Sequence, residues 1–316
     1  MCMCPVIEVR GLTKYYGKTM GIQNLDMFVE KGEVYGFLGP NGAGKTTTIR
    51  VLLDLIKKTG GYAKIFGMDV ESDSVDVRRR LGYLPGDLGM YKELTGNDYL
   101  DHFQLLRGDK GKGRREELSK RFNANLNMRI KELSKGNKQK IGLIQAFDHD
   151  PELIILDEPT SGLDPLMQQE FYALLKEEKE RGKTVLMSSH IISEVEHVCD
   201  RVGIINKGRM VDVEEVHALK DKMGKVVHIT FGSPITEDLF QMEGITDLEV
   251  DGKNVELRIR GSMDPLIKKL AQYNVENLTA TNYSLEELFL DYYGNGNGSR
   301  NATKERNAVP AGGVSE

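Results

Sequence analysis

Apolar and polar positions along this chain change rhythm several times, and each rhythm predicts a different element. Val6-Ile7-Glu8-Val9-Arg10 and Asn24-Leu25-Asp26-Met27-Phe28-Val29 alternate in part, as strands of an antiparallel edge sheet do. Turns are expected at Gly11, at Gly17 and at Lys31-Gly32, with Tyr15-Tyr16-Gly17 in the turn between the two strands. Val34-Tyr35-Gly36-Phe37-Leu38 is a short, mostly apolar run that reads as a buried strand. Ile49, Leu52, Leu53 and Ile56 then fall at i, i+3, i+4 and i+7, one face of a helix. Lys58 to Tyr62 reads as a turn, Ala63 to Gly67 as a short strand, and Val75 to Leu81 as an arginine-rich helical piece. Leu81 to Pro85 is a strand ended by its proline.

From about residue 95 to 150 the pattern is helical. Thr95 is placed to cap a helix that carries Tyr99, Phe103 and Leu106. The glycine-rich basic stretch Gly108 to Arg115 reads as a solvated loop, and another helix begins near Ser134. Leu153-Ile154-Ile155-Leu156 is a continuous apolar run, the mark of a strand covered on both faces. Pro165 opens a helix to about Arg181 with Met167, Phe171 and Leu174 on one face. Thr184 to Met187 and Val202 to Ile205 are further strands with a helix between them. Strand and helix in alternation predict an α/β fold with a parallel sheet, here flanked by the antiparallel edge subdomain and the helical one. Past Leu219, half-exposed strands (226–231, 248–250 and 255–259) and helices (265–272 and 284–292) predict a small α+β domain. The expected organisation is a main domain over 1–219, an α+β domain over 222–293, and a disordered polar tail over 294–316.

Composition narrows the function classes. The 316 residues are 39% hydrophobic and 29% charged, a globular balance, and the net charge of -5 argues against a dedicated nucleic-acid binder. No apolar run approaches the roughly 20 residues that span a bilayer. Met1 to Pro5 lacks the basic-then-apolar grammar of a secretory signal. Three cysteines, Cys2, Cys4 and Cys199, make no disulfide framework, which points to a reducing compartment.

Candidate chemistry centres on Gly39-Pro40-Asn41-Gly42-Ala43-Gly44-Lys45-Thr46-Thr47, which has the form GxxxxGK[ST]. A loop so rich in glycine lets backbone N–H groups turn inward on a phosphate, and the following helix adds positive potential from its N-terminus. The strand before it and the helix after it supply the context that the motif needs. The second locus is Asp157-Glu158, an acidic pair at the carboxyl end of the four-residue apolar strand. Asp157 is placed to hold Mg²⁺ opposite the Thr46 hydroxyl, and Glu158 to accept a proton from an attacking water.

With these loci in order, GPNGAGKTT, LSKGN, LIILDEP, SGLD and SSH, residues 6 to about 215 resemble the ATPase subunit of an ATP-binding-cassette (ABC) transporter, a P-loop NTPase. The resemblance implies that Tyr16 stacks on adenine, that Lys45 reaches the β- and γ-phosphates, and that Thr46 sits on Mg²⁺ with Thr47 beside the α-phosphate. It implies that Ser134 and Gly136, in the signature-like Leu133 to Asn137, face a γ-phosphate held by a second ATPase subunit in a head-to-tail dimer. It makes Ser161 to Asp164 the loop that couples the two sites, and His190 the histidine that contacts the γ-phosphate and orients Glu158. It also implies a cytoplasmic subunit that drives a separate transmembrane permease, docked on the helical segment and the Gly86 to Tyr91 loop. The single cassette, short C-terminal domain and YLPG-type loop resemble exporters. The alternative is a soluble ABC-type ATPase acting on ribosomes or nucleic acid. Three positions, at two loci, depart from the pattern: Lys135 and Asn137 replace glycine and glutamine in the signature, and Gly86 stands where a metal-contacting glutamine is usual. Asp87 is the neighbour able to substitute for that glutamine.

Overall fold

The computed structural model describes residues 5–108, 113–218 and 224–282. In chain order the elements begin β1 (Ile7–Tyr16), β2 (Thr19–Val29), β3 (Val34–Leu38), α1 (Lys45–Leu52), β4 (Gly60–Ile65), β5 (Met68–Asp69), α2 (Ser74–Arg79) and β6 (Leu81–Leu84). The helical part follows as α3 (Gly96–Arg107), α4 (Arg115–Arg121) and α5 (Lys135–Phe147). Next come β7 (Leu153–Asp157), α6 (Pro165–Glu180), β8 (Thr184–Ser189), α7 (Ile192–Val198), β9 (Arg201–Asn206) and β10 (Arg209–Glu215). The last are β11 (Lys225–Phe231), β12 (Ile245–Asp251), β13 (Asn254–Ile259), α8 (Asp264–Leu270) and β14 (Val275–Asn282).

Three sheets organise these elements. A six-stranded sheet runs β10-β9-β3-β8-β7-β6, parallel throughout except for β10, which pairs antiparallel with β9. Its central strands β3, β8 and β7 are buried at every position because both faces are covered. Along β7, Leu153 and Ile155 enter one core cluster with α1 and the edge sheet, while Ile154 and Leu156 enter the other with α3, α5 and α6. The second sheet, β2-β1-β4-β5, is antiparallel, and the third, β12-β13-β11-β14, is antiparallel with its own core around Val227, Phe231 and Leu257.

Thr95 caps α3 as expected, in a full capping box with Asp98. Ser134 caps α5 through its hydroxyl, which accepts from the Asn137 N–H at 3.3 Å. The helical part is tied to α6 by ion pairs. Glu178, 1% exposed, accepts from Arg114 and from Arg181, and Arg121 is bidentate on Glu177 at 2.5 and 2.8 Å.

Several expectations need correction. The helix after the phosphate loop ends at Leu52, because Asp54 takes a left-handed φ of 54° and turns the chain away. Ile56 lies beyond the helix but still packs on the same core. Gly11 is no turn; it lies inside β1 with φ 57°, at a register shift between Val9 and Leu12, so it makes a bulge. Tyr15 and Tyr16 end β1 rather than forming the turn. Gly60 to Tyr62 begins β4. The helix carries Tyr99, Phe103 and Leu106 as expected, with Tyr99 buried and Leu106 68% exposed. Strands β10 and β14 and helix α4 escaped the sequence pattern, since their residues are charged or exposed at most positions. Cys2 and Cys4, part of the 108–115 loop, the 219–222 boundary, the expected helix at 284–292 and the tail from 294 lie wholly or partly outside the described residues.

Candidate functional site

The site forms at the carboxyl edge of the parallel sheet, where the β3–α1 loop meets the ends of β7 and β8. Gly44 precedes α1 with φ 113°, and a Cβ there would lie 2.7 Å from Ile22 Cγ2, so only glycine serves. No side chain caps α1, which leaves its first N–H groups to an anion. Lys45, 5% exposed, donates to the carbonyls of Gly39 at 2.6 Å and Pro40 at 3.3 Å. Its Nζ also lies 3.2 Å from Glu158 Oε1.

Asp157 ends β7 fully buried. Its Oδ1 accepts from Ser188 Oγ at 2.5 Å, while Oδ2 has no hydrogen-bond partner. A cavity of about 400 Å³ gathers Lys45, Thr46, Thr47, Asp157 and Glu158 with Gly86 and Asp87. An orphaned buried carboxylate oxygen and a threonine hydroxyl lining one cavity are a donor set suited to a hard cation such as Mg²⁺. Glu158 sits at φ 52°, a strained conformation for a residue with a side chain. Its N–H is held by Ser188 O at 3.2 Å and Ser188 Oγ at 3.1 Å, and Gln139 donates to Pro159 O at 2.8 Å. So fixed, Glu158 turns its second oxygen to His190 Nδ1 at 2.6 Å.

Comparison with known proteins decides what this arrangement is. Residues 22–161 match the family model described as ABC transporter. The chain is 34% identical over 298 residues to an uncharacterised ABC transporter ATP-binding protein of Methanocaldococcus jannaschii, covering 92% of this chain and 100% of that one. The chain belongs to the ABC transporter ATP-binding proteins. It is 35% identical over 305 residues to the bacitracin transport ATP-binding protein of Bacillus licheniformis, covering 93% and 99% of the two chains. A solved ATP-binding subunit of an ABC transporter superposes with a TM-score of 0.63 at 30% identity, over 68% of this chain and 92% of that one. A dimeric ABC transporter cassette superposes with a TM-score of 0.62 at 22% identity, over 66% and 98%, which supports the fold.

Within this ABC ATPase subunit the predicted residues fall into two groups. Lys45, Thr46, Thr47, Asn41, Gly42, Gly44, Asp157 and Glu158 line one cavity; Gly39, Pro40 and Ala43 complete the loop around Lys45, and His190 reaches the cavity through Glu158. Tyr16 stands at its rim, 47% exposed, with its hydroxyl 3.5 Å from Thr47 Oγ1. Ser134, Gly136 and Asp164 are not brought to that cavity. They form a second locus: a Cβ on Gly136 would lie 2.4 Å from Gly162 O, and Lys135 Nζ donates to Ser161 Oγ at 2.8 Å. Asp164 caps α6 by accepting from the Met167 N–H at 3.0 Å. A Cβ on Gly86 would lie 3.2 Å from Asp157 Oδ2, so this position abuts the metal-suited carboxylate. Sequence reasoning missed Arg50, Met20 and Gly21 in the cavity wall, and Gln139 behind Glu158. Arg50 lies four residues past Thr46 on α1, a spacing that could have flagged it; Gln139 gave no signal.

Proposed function

We propose that this ABC ATPase subunit binds MgATP on the Gly39–Thr47 loop and hydrolyses it with Glu158 as general base, to drive export through a separate permease. The observation that carries the reading is Glu158 itself, held in a strained backbone conformation 3.2 Å from Lys45 and 2.6 Å from His190. Lys45 offers its charge to the β- and γ-phosphates, and the loop N–H groups and α1 N-terminus take the remaining negative charge. His190 orients the Glu158 carboxylate, which takes the proton of a water attacking the γ-phosphate. Thr46 and Asp157 would hold Mg²⁺, which neutralises phosphate charge when bound. Asp87, next to Gly86 in the cavity wall, is the side chain placed to do the work of the usual glutamine.

Ser134 and Gly136 serve the γ-phosphate of a second subunit, because in this chain they lie at a separate locus from its own loop. Asp164 shapes the same shared surface by fixing the start of α6. Tyr16 is the platform for adenine, an exposed ring beside Thr47. A groove of about 570 Å³ lined by Tyr83, Leu88, Tyr99, Phe103 and Leu106 receives the permease, which brings the subunit to the inner face of the membrane. No helix among the described residues is long and apolar enough to cross a membrane. Export is favoured by the bacitracin transport relative and by a 36%-identical probable multidrug ABC transporter ATP-binding protein of Escherichia coli. The ribosome- or nucleic-acid-directed alternative gains no support from these relatives. Affinity purification from solubilised membranes tests the reading: a multi-span partner is expected, and recovery with ribosomes in its place would refute it.

A further inference from the structure

We propose that Glu194 is a positioning residue that binds the Thr160–Asp164 loop and the His190 loop into one unit. Glu194 lies on α7 and is 4% exposed, so its carboxylate needs polar partners within the fold. Its two carboxylate oxygens are taken by two buried hydroxyls. Oε1 accepts from Thr160 Oγ1, and Oε2 accepts from Ser189 Oγ at 2.6 Å. Thr160 is two residues past the general base, and Ser189 immediately precedes His190. The Ser189 hydroxyl also accepts from the Ile191 N–H at 2.9 Å, so its orientation fixes the backbone on both sides of the histidine.

The other end of this bridge leads to the signature locus. Ser161 accepts from Lys135, and Gly162 packs its carbonyl against Gly136. A displacement of the Ser134–Gly136 helix start is therefore carried through Ser161 and Thr160 to Glu194, and from there to Ser189 and His190. The inference rests on the reading that the signature locus faces the partner's nucleotide. On that reading the bridge reports the neighbouring γ-phosphate to this subunit's own Glu158–His190 pair.

The test uses the full-length protein. Glu194→Ala is expected to lower kcat by about tenfold to hundredfold, as loss of an orienting side chain does, with KM for ATP changed less than about threefold. Thr160→Val should give a smaller loss, and the pair with Glu194→Ala should be no worse than Glu194→Ala alone, because both remove one bridge. Glu194→Gln, which can still accept from one hydroxyl and donate to the other, should recover part of kcat. If Glu194→Ala fails to fold by circular dichroism, the shape-preserving Thr160→Val and Glu194→Gln decide. Hydrolysis by Thr160→Val within twofold of the parent, by Glu194→Gln no faster than by Glu194→Ala, or additive losses in the double variant, would overturn the bridge. The dimer reading is judged separately, by whether Glu158→Gln forms an ATP-dependent dimer on gel filtration.

Discussion

Glu158→Gln removes two things at once, and the structure assigns a sign to each. The first is the proposed general base. Glutamine keeps the shape but has no basic oxygen, so hydrolysis should fall by about 10²- to 10⁴-fold. The second is the charge beside Lys45. At 3.2 Å the gross attraction is about 5 kcal/mol at an effective dielectric of about 20. Desolvation cancels most of it, because Glu158 is 21% exposed and Lys45 only 5%. A net of about 1 kcal/mol is reasonable for a partly exposed pair. That attraction competes with phosphate for Lys45, so its removal should tighten ATP binding by about fivefold. The assay is phosphate release at saturating MgATP, with ATP affinity measured by calorimetry under conditions without turnover. Slow hydrolysis with tighter or equal binding, and an ATP-dependent dimer, is the expected result. Hydrolysis within threefold of the parent would refute the base assignment, and weakened ATP binding would refute the competition at Lys45.

Other consequences are separately measurable. Chelation of Mg²⁺ should stop hydrolysis, and Asp157→Asn should move the Mg²⁺ dependence to higher concentration by about tenfold or more, since it alters the orphaned buried oxygen; an unchanged Mg²⁺ titration would exclude Asp157 as the ligand. Glu178→Ala strips a 1%-exposed carboxylate from Arg114, 18% exposed, and Arg181, 41% exposed, and should cost about 1 kcal/mol in urea unfolding, because Arg114 keeps Glu117 and Arg181 keeps Asp150. Burial pushes the Cys199 thiol far above its ordinary value, so peptide mapping should find it unlabelled by iodoacetamide at pH 8 until denaturant is added. Thr95→Ala breaks the α3 capping box and should lower stability by about 1 kcal/mol.

The amino-acid order alone determined the phosphate loop, the acidic pair and the alternation of strand and helix, because each rests on local rules. A glycine loop between an apolar strand and a helix, or four apolar residues ending in Asp157-Glu158, needs no distant partner to be recognised. Local rules fail where a residue's role is set by what packs against it. Strand β10 is charged at four of its seven positions, Arg209, Asp212, Glu214 and Glu215, and is a strand because β9 offers it an edge. The predicted helix stops at Leu52 because Asp54 turns left-handed, which no apolar spacing announces. In the site, the sequence placed Glu158 and His190 but not the contacts that tune them. Tertiary structure alone joined Lys45, Glu158 and His190 into one line, put Gln139 and Ser188 behind the strained Glu158 backbone, and set Glu194 between two loops 34 and 5 residues away. It also left Ser134 and Gly136 outside the cavity that the Gly39–Thr47 loop lines, with Gly136 packed instead against Gly162. Motifs are short-range statements about which chemistry is available. Whether their atoms meet within hydrogen-bond distance depends on sheet order and packing, which only the folded chain fixes.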